Sequence, residues 1–291
     1  MRILNFYKSG IETLAVNTGD RIIDLSIADP AIPRSLIALL EQGQSGMKAV
    51  ERAVQTAPAS AEVALDSIRY APPISNPPKI ICVGANYKDH AAESNYKLPE
   101  QPVFFARYAK SLVAHGEPLI KPLLSDQFDY EVELAVIIGR EGRHIPVANA
   151  LDFVAGYSVF NDGSVRDYQF KSDQWLWGKT FDGSGGFGPE FVTADEVPPG
   201  AEGLQLKTVL NGVVVQSAST SDMVFSVATL IAALSEAMTL EVGDVIATGT
   251  PAGVGIFRNP PLWLKDGDVC EVAIDRVGSL INPVRNEAKQ P

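Results

Sequence analysis

Four prolines fall within seven residues of Ala71-Pro72-Pro73-Ile74-Ser75-Asn76-Pro77-Pro78. Fixed φ angles and missing N–H donors rule out helix there, so the segment reads as a stiff extended connector and the place to divide the chain. Residues 1–70 are expected to form a small N-terminal α/β domain, 71–78 the connector, and 79–291 a larger domain. In the first part, Ile3–Phe6, Thr13–Val16 and Arg21–Leu25 read as short strands, separated by turn signals such as Asn17-Thr18-Gly19-Asp20. Ser35–Leu40 and Met47–Val54 then carry apolar residues at helical spacing, with Gly43 and Gly46 as interruptions.

Beyond the connector, strand signals dominate: Ile80–Val83, Val103–Ala106, Tyr130–Ile138, Ala155–Phe160, Leu204–Leu210, Val213–Gln216, Val245–Thr248 and Val269–Ile274. Asn211-Gly212 between two β-branched runs suits a type I′ hairpin turn. Helices are expected only at Tyr87–Asn95 and at Val224–Met238, with Ser221 as cap. Without a regular βαβ alternation, the pattern predicts an α+β fold with a mixed, mostly antiparallel sheet architecture.

Composition narrows the function classes. The 35 Asp and Glu against 24 Lys and Arg give a net charge of −11, with no basic run, so a phosphate backbone would be repelled and no nucleic-acid partner is expected. Cys82 and Cys270, each in apolar surroundings, fit free thiols in a reducing compartment and exclude zinc sites built on cysteine. No window reaches 18 consecutive apolar residues, and the start, Met1-Arg2-Ile3-Leu4-Asn5-Phe6, lacks a leader pattern; the expectation is a cytoplasmic protein with no membrane partner.

Several familiar motifs fail on inspection. Gly183-Ser184-Gly185-Gly186-Phe187-Gly188 matches G-x-G-x-x-G, but Pro189 stands where a helix should begin, so it reads as a flexible loop at a site or surface. Gly178-Lys179-Thr180 would need glycine where Asp173 stands to end a phosphate-binding loop. Neither G-x-S-x-G nor H-E-x-x-H occurs, and the histidines are His90, His115 and His144 alone.

What remains is a cluster of carboxylates. In Phe128-Asp129-Tyr130-Glu131-Val132-Glu133-Leu134-Ala135-Val136-Ile137-Ile138, a period of two puts Tyr130, Val132, Leu134, Val136 and Ile138 on one face and Glu131 with Glu133 on the other. Their Cα atoms would lie about 6.6 Å apart. Carboxylates converging to about 5 Å repel by roughly 3 kcal/mol at an effective dielectric of 20. Either the face is wet and both glutamates are solvated, or a cation reverses the sign. Asp162, at the end of the next strand, is a turn or cap residue or else a third oxygen ligand; three carboxylates suit Mg²⁺, Mn²⁺ or Ca²⁺. Lys179, among Trp175, Trp177 and Phe181, snorkels to solvent or points inward and offsets the negative charge left beside a divalent cation. His90 and Glu93 at i, i+3 form either a solvated pair or a carboxylate-oriented base able to take a proton from water. The loop Thr248-Gly249-Thr250-Pro251-Ala252-Gly253-Val254-Gly255 is a tight turn or a cradle of backbone N–H groups for a substrate carboxylate or oxyanion.

Taken together these motifs resemble the fumarylacetoacetate hydrolase family over about residues 76 to 285. The matching text is Val83-Gly84-Ala85-Asn86-Tyr87 with His90 and Glu93, Asp129 through Leu134, Asn161-Asp162 with Arg166-Asp167 and Gln169, Gly178 through Asp182, and the run from Thr208 to Gly255. The resemblance implies a mixed β-roll catalytic domain, commonly a homodimer, that binds Mg²⁺ or Mn²⁺ and acts on small 2-oxo or 2,4-dioxo carboxylic acids. It implies Glu131, Glu133 and Asp162 as metal ligands, Lys179 as cationic partner, His90 and Glu93 as the water-activating pair on a helix that closes with ligand, and Gln169 and Thr250 as substrate contacts, with Gly249 beside them. The sequence departs from the family at Phe104-Phe105-Ala106-Arg107, where relatives carry Lys and where Arg107 could grip a substrate carboxylate in two-pronged fashion, and at Gly183–Gly186 and Ala114-His115-Gly116. The expected activity is hydrolysis of a carbon–carbon bond in an acylpyruvate or fumarylpyruvate, releasing pyruvate. The alternatives are an oxaloacetate-type decarboxylase, an oxo-dienoate isomerase, or a binding protein with a structural metal site.

Overall fold

The computed structural model describes residues 1–288. Strand Val132–Ile138 is buried at every position, which makes it a central strand rather than a half-wet one. Val132, Leu134, Val136 and Ile138 pack into a core shared with Leu206, Val272 and Leu230, while Ala135 and Ile137 face a second core with Leu39, Val50 and Phe160. Fully burying each large aliphatic side chain stabilises by about 1.5–3 kcal/mol. That drive fixes the register, and the register carries the carboxylates at the strand's start.

The large sheet runs in the order Ile22–Asp24, Ile11–Asn17, Arg2–Lys8, Gly185–Thr193, Val154–Asn161, Val132–Ile138, Val245–Ala247, Ile80–Gly84, Val103–Arg107. Along that path all pairs are antiparallel except Val245–Ala247 with Ile80–Gly84. A second sheet orders Val213–Ser219, Gln205–Leu210, Val269–Ile274, Gly278–Asn286 and Leu119–Lys121. Helix Val227–Ala237 joins the core between them through Leu230, Ile231 and Leu234. The mostly antiparallel α+β architecture is the one expected. Asn211 and Gly212 both take positive φ in the Leu210–Val213 hairpin, as a type I′ turn requires.

The connector lies against the first strand: Tyr70–Ala71 pairs with Arg2–Lys8, and Asn5 Nδ2 donates to Pro72 O at 3.0 Å. Since Arg2–Lys8 also pairs with Gly185–Thr193, one sheet holds strands from both sides of the prolines. Among the described residues no helix is long and apolar enough to cross a membrane.

Three local readings are corrected. The glycine-rich Gly183–Gly188 segment is not a flexible loop; Gly185–Thr193 is a nine-residue strand with Phe187 opposite Phe160. Its glycines reflect close approach, because a Cβ on Gly185 would stand 2.5 Å from Arg107 Nη2. Helix Val227–Ala237 is capped by Ser226, which accepts from Thr229 N–H, whereas Ser221 belongs to a turn boxed by Ser219 and Asp222. Strand Gly278–Asn286 escapes the period-of-two reading because Asn282 and Pro283 break the apolar alternation.

Candidate active site

Pairing of Val132 with Asn161 brings the two strand ends level, so Glu131, Glu133 and Asp162 meet at one end of the sheet. Asp162 N–H donates to Glu131 O at 2.9 Å, and one carboxylate oxygen from each of the three lies within 4.8 Å of the others. All three are buried, so the wet-face reading of the glutamates is wrong. Lys179 does not snorkel: it is 2% exposed, and its Nζ donates to Glu131 Oε2 and to Asp162 Oδ2, each at 2.6 Å.

Two arginines brace the cluster. Arg107 donates to Asp162 Oδ1, to Gly163 O at 3.0 Å, to Ser184 Oγ at 2.8 Å and to Ser111 Oγ at 3.2 Å. With four of its five N–H donors engaged by protein and no place on the cavity wall, it holds a carboxylate of the site and is not positioned to grip substrate, which corrects the expectation for Arg107. Arg166 donates to Asp129 Oδ2 and to Gln169 Oε1, both at 2.9 Å. Its Nη2 lies 2.7 Å from Glu131 Oε1, an ion pair too bent for a hydrogen bond. Asp129 in turn accepts from the Gly255 and Ile256 amides at 2.7 and 3.0 Å, which fixes the loop bearing Thr250.

Asp129, Glu131, Glu133 and Asp162 thus face Arg107, Arg166 and Lys179, and the carboxylate left without a cation is Glu133. Among the described residues its hydrogen-bond donor is Gly249 N–H, at 2.9 Å. Gly249 therefore serves Glu133 and not a substrate, a second correction. Burial, then the Asp162 and Glu131 charges, push the Glu133 carboxyl well above the usual range. Burial pushes Glu131 the same way, but Lys179 and Arg166 outweigh it and draw the group down to about 2. Lys179 is likewise opposed by burial and held charged by Asp162 and Glu131. Three buried oxygen donors with one negative charge unmatched fit a hard divalent cation, and the cluster offers no imidazole or thiolate of the kind zinc prefers.

Helix Lys88–Glu93 presents His90, whose Nδ1 lies 2.8 Å from Glu93 Oε1. A carboxylate only accepts, so Nδ1 carries a proton, and in the neutral imidazole Nε2 keeps its lone pair. His90, Glu131, Glu133, Gln169, Lys179 and Thr250 line one cavity of about 280 Å³. Thr250 Oγ1 accepts from Gln216 Nε2 at 2.9 Å, which leaves its own proton to donate. The cavity therefore joins a positioned base, a carboxylate cluster for a cation, and hydrogen-bonding groups. Sequence reasoning gave no role to Asp129 or Arg166, nor to Phe105 and Trp175 on the cavity wall. Asp129 and Arg166 stand in the matching motifs without a role of their own there, and the half-buried Phe105 and Trp175 are marked only by their place on the cavity wall.

The profile described as fumarylacetoacetate (FAA) hydrolase C-terminal matches residues 79–285. Oxaloacetate tautomerase Fahd2a, mitochondrial, of Rattus norvegicus is 38% identical over 292 residues, spanning 98% of this chain and 91% of the rat protein. The fumarylacetoacetate hydrolase structure from Exiguobacterium antarcticum has a TM-score of 0.84 at 36% identity, covering 99% of this chain and 100% of that one. Maleylpyruvate hydrolase from Sphingobium sp. SYK-6, solved with manganese(II) and pyruvate, has a TM-score of 0.83 at 30% identity over 99% and 100% of the two chains. A family match over most of the sequence, full-length relatives and a shared fold agree: the chain belongs to the fumarylacetoacetate hydrolase family of enzymes.

Proposed function

We propose that this enzyme interconverts the keto and enol forms of a 2-oxo acid, with Mg²⁺ or Mn²⁺ held by Glu131, Glu133 and Asp162. The observation that carries the reading is that His90, oriented by Glu93, lines the same small cavity as Glu131 and Glu133 of the carboxylate cluster. Enolisation needs a base at C3 and an electron sink at the 2-oxo oxygen, and it needs nothing else. A divalent cation supplies Lewis acidity at that oxygen when bound. His90 Nε2 takes the C3 proton and returns it, while the Glu93 carboxylate steadies the imidazolium. Lys179 places an ammonium beside the developing charge, and the Thr250 hydroxyl donates to a substrate oxygen. The rat relative's name makes oxaloacetate the first acid to try.

The same pair supports a second reading, hydrolysis of the carbon–carbon bond of a 2,4-dioxo acid with release of pyruvate and a carboxylic acid. A base that accepts a proton from carbon also accepts one from water, and the likeness to maleylpyruvate hydrolase favours it. The two separate in one experiment: loss of enol-oxaloacetate absorbance against pyruvate release from acylpyruvates, each with Mg²⁺ or Mn²⁺. Faster enol decay without acylpyruvate cleavage supports the first reading. Acylpyruvate cleavage without any effect on enol decay overturns it in favour of the second.

A further inference from the structure

Away from the carboxylates the cavity wall turns aromatic. The Phe105 ring centroid lies 5.1 Å from Lys179 Nζ, and the Trp175 ring meets Phe105 edge-on at 5.5 Å. Phe170 and Phe257 line the same space, with the Phe257 centroid 6.2 Å from that of His90. Trp175 lies directly on Gly84, where a Cβ would stand 2.1 Å from its Cζ3, so the glycine is what admits the ring. Among the described residues the cations lining the cavity are already engaged, Lys179 by Glu131 and Asp162, and Arg166 by Asp129 and Glu131.

Charge matching points the same way. The cluster of Asp129, Glu131, Glu133 and Asp162 against Arg107, Arg166 and Lys179 has one negative charge in excess. A divalent cation offsets that excess and pairs the one carboxylate of a 2-oxo acid that lies beside it. A second carboxylate on that side would find the Gln169 amide and the Tyr96 hydroxyl but, among the described residues, no free cation to pair it, a weaker solvation than water gives it. An uncharged ring or branched chain there gains area burial and edge-to-face contact instead.

We infer that the preferred substrate is a 2-oxo acid bearing one carboxylate and an uncharged aromatic or branched aliphatic group on C3, and that Trp175 recognises that group. The inference rests on the enolisation reading for its chemistry and on the aromatic wall for its selectivity. With phenylpyruvate, the C3–H bond breaks, its electron pair becomes the C2=C3 bond, and the carbonyl oxygen gains the proton; nothing is oxidised or reduced.

The test titrates the Mn²⁺-loaded protein calorimetrically with pyruvate, phenylpyruvate and oxaloacetate, beside enol–keto rates for the last two. Phenylpyruvate is expected to bind at least tenfold more tightly than either other acid and to show the larger kcat/KM. In Trp175→Ala, and in Gly84→Ala, which displaces the ring without removing it, the phenylpyruvate advantage falls at least tenfold in both readouts. Oxaloacetate turnover with phenylpyruvate bound no more tightly than pyruvate overturns the inference and leaves enolisation standing. If neither acid is enolised, the reaction reading fails, and binding decides alone: a phenylpyruvate advantage that is lost in Trp175→Ala supports recognition by the wall, and its absence refutes it.

Discussion

Glu93 holds His90 at a fixed angle: Oε1 lies 2.8 Å from His90 Nδ1, and Gly253 N–H donates to both Glu93 oxygens at 3.1 and 2.9 Å. The short helix Lys88–Glu93 is thereby tied to the loop that carries Thr250. One backbone amide thus joins the helix that presents His90 to the loop that presents Thr250.

Removing the base with His90→Ala should lower kcat for enol–keto conversion on the order of 10²- to 10⁴-fold. Glu93→Gln keeps an acceptor for Nδ1 but removes the charge that steadies the imidazolium, so its loss should be smaller. Calorimetric Mn²⁺ affinity in both variants should stay within threefold of wild type. Loss of metal affinity in His90→Ala would place the imidazole among the ligands and refute its role as base.

Arg107 is buried with Asp162, and breaking such a pair from one side leaves an uncompensated charge. Arg107→Met is expected to lower stability by about 3–5 kcal/mol in urea unfolding. Gly185→Ala, whose Cβ intrudes on the same guanidinium, should act through the same contact, so the double variant should cost less than the two singles combined. Unchanged stability with a raised KM in Arg107→Met would restore Arg107 as a substrate grip.

His115 supplies a pH-dependent term. Burial lowers its pKa below the ordinary value of 6.5, against the opposing charge of Glu190, and its Nδ1 accepts from Ile281 N–H at 3.2 Å. The unfolded chain therefore takes up this proton first, and stability falls as pH drops from about 6.5 toward the lowered value. His115→Asn, which keeps an acceptor without the titration, should flatten the change in urea midpoint between pH 7.5 and 5. An identical slope in both proteins would assign the acid sensitivity elsewhere.

The sheet was legible because Val132, Leu134, Val136 and Ile138 alternate in plain text, and that same alternation put Glu131 and Glu133 together. Its burial was not legible. Period alone does not say what covers a face, and here the second face is covered by helices whose contact with it depends on the whole topology. Lys179 and Arg107 show the limit most clearly. The sequence offers two cations near aromatic residues, and only the tertiary structure shows that Lys179 bridges two carboxylates from the cavity side while Arg107 spends its donors behind Asp162. The Gly183–Gly188 run departs from the expected loop for a related reason: glycines that suggest flexibility in one dimension mark close approach in three.

Glu131 and Glu133 should respond in opposite directions in chelator. Glu131 is hydrogen-bonded by Lys179 and ion-paired with Arg166, so in chelator Glu131→Gln should destabilise by about 1.5–3 kcal/mol, the value of one charge-assisted hydrogen bond weakened. Burial, Asp162 and Glu131 disfavour the charged form of Glu133, so the neutral amide of Glu133→Gln suits the metal-free site; its metal-free stability should equal or exceed that of wild type. Both variants should lose at least tenfold in Mn²⁺ affinity, because each removes one of three oxygen donors. Urea midpoints in chelator, beside Mn²⁺ titrations, read both effects. Should Glu133→Gln destabilise as much as Glu131→Gln, its charge is matched within the protein itself, and the case for a cation at this site fails.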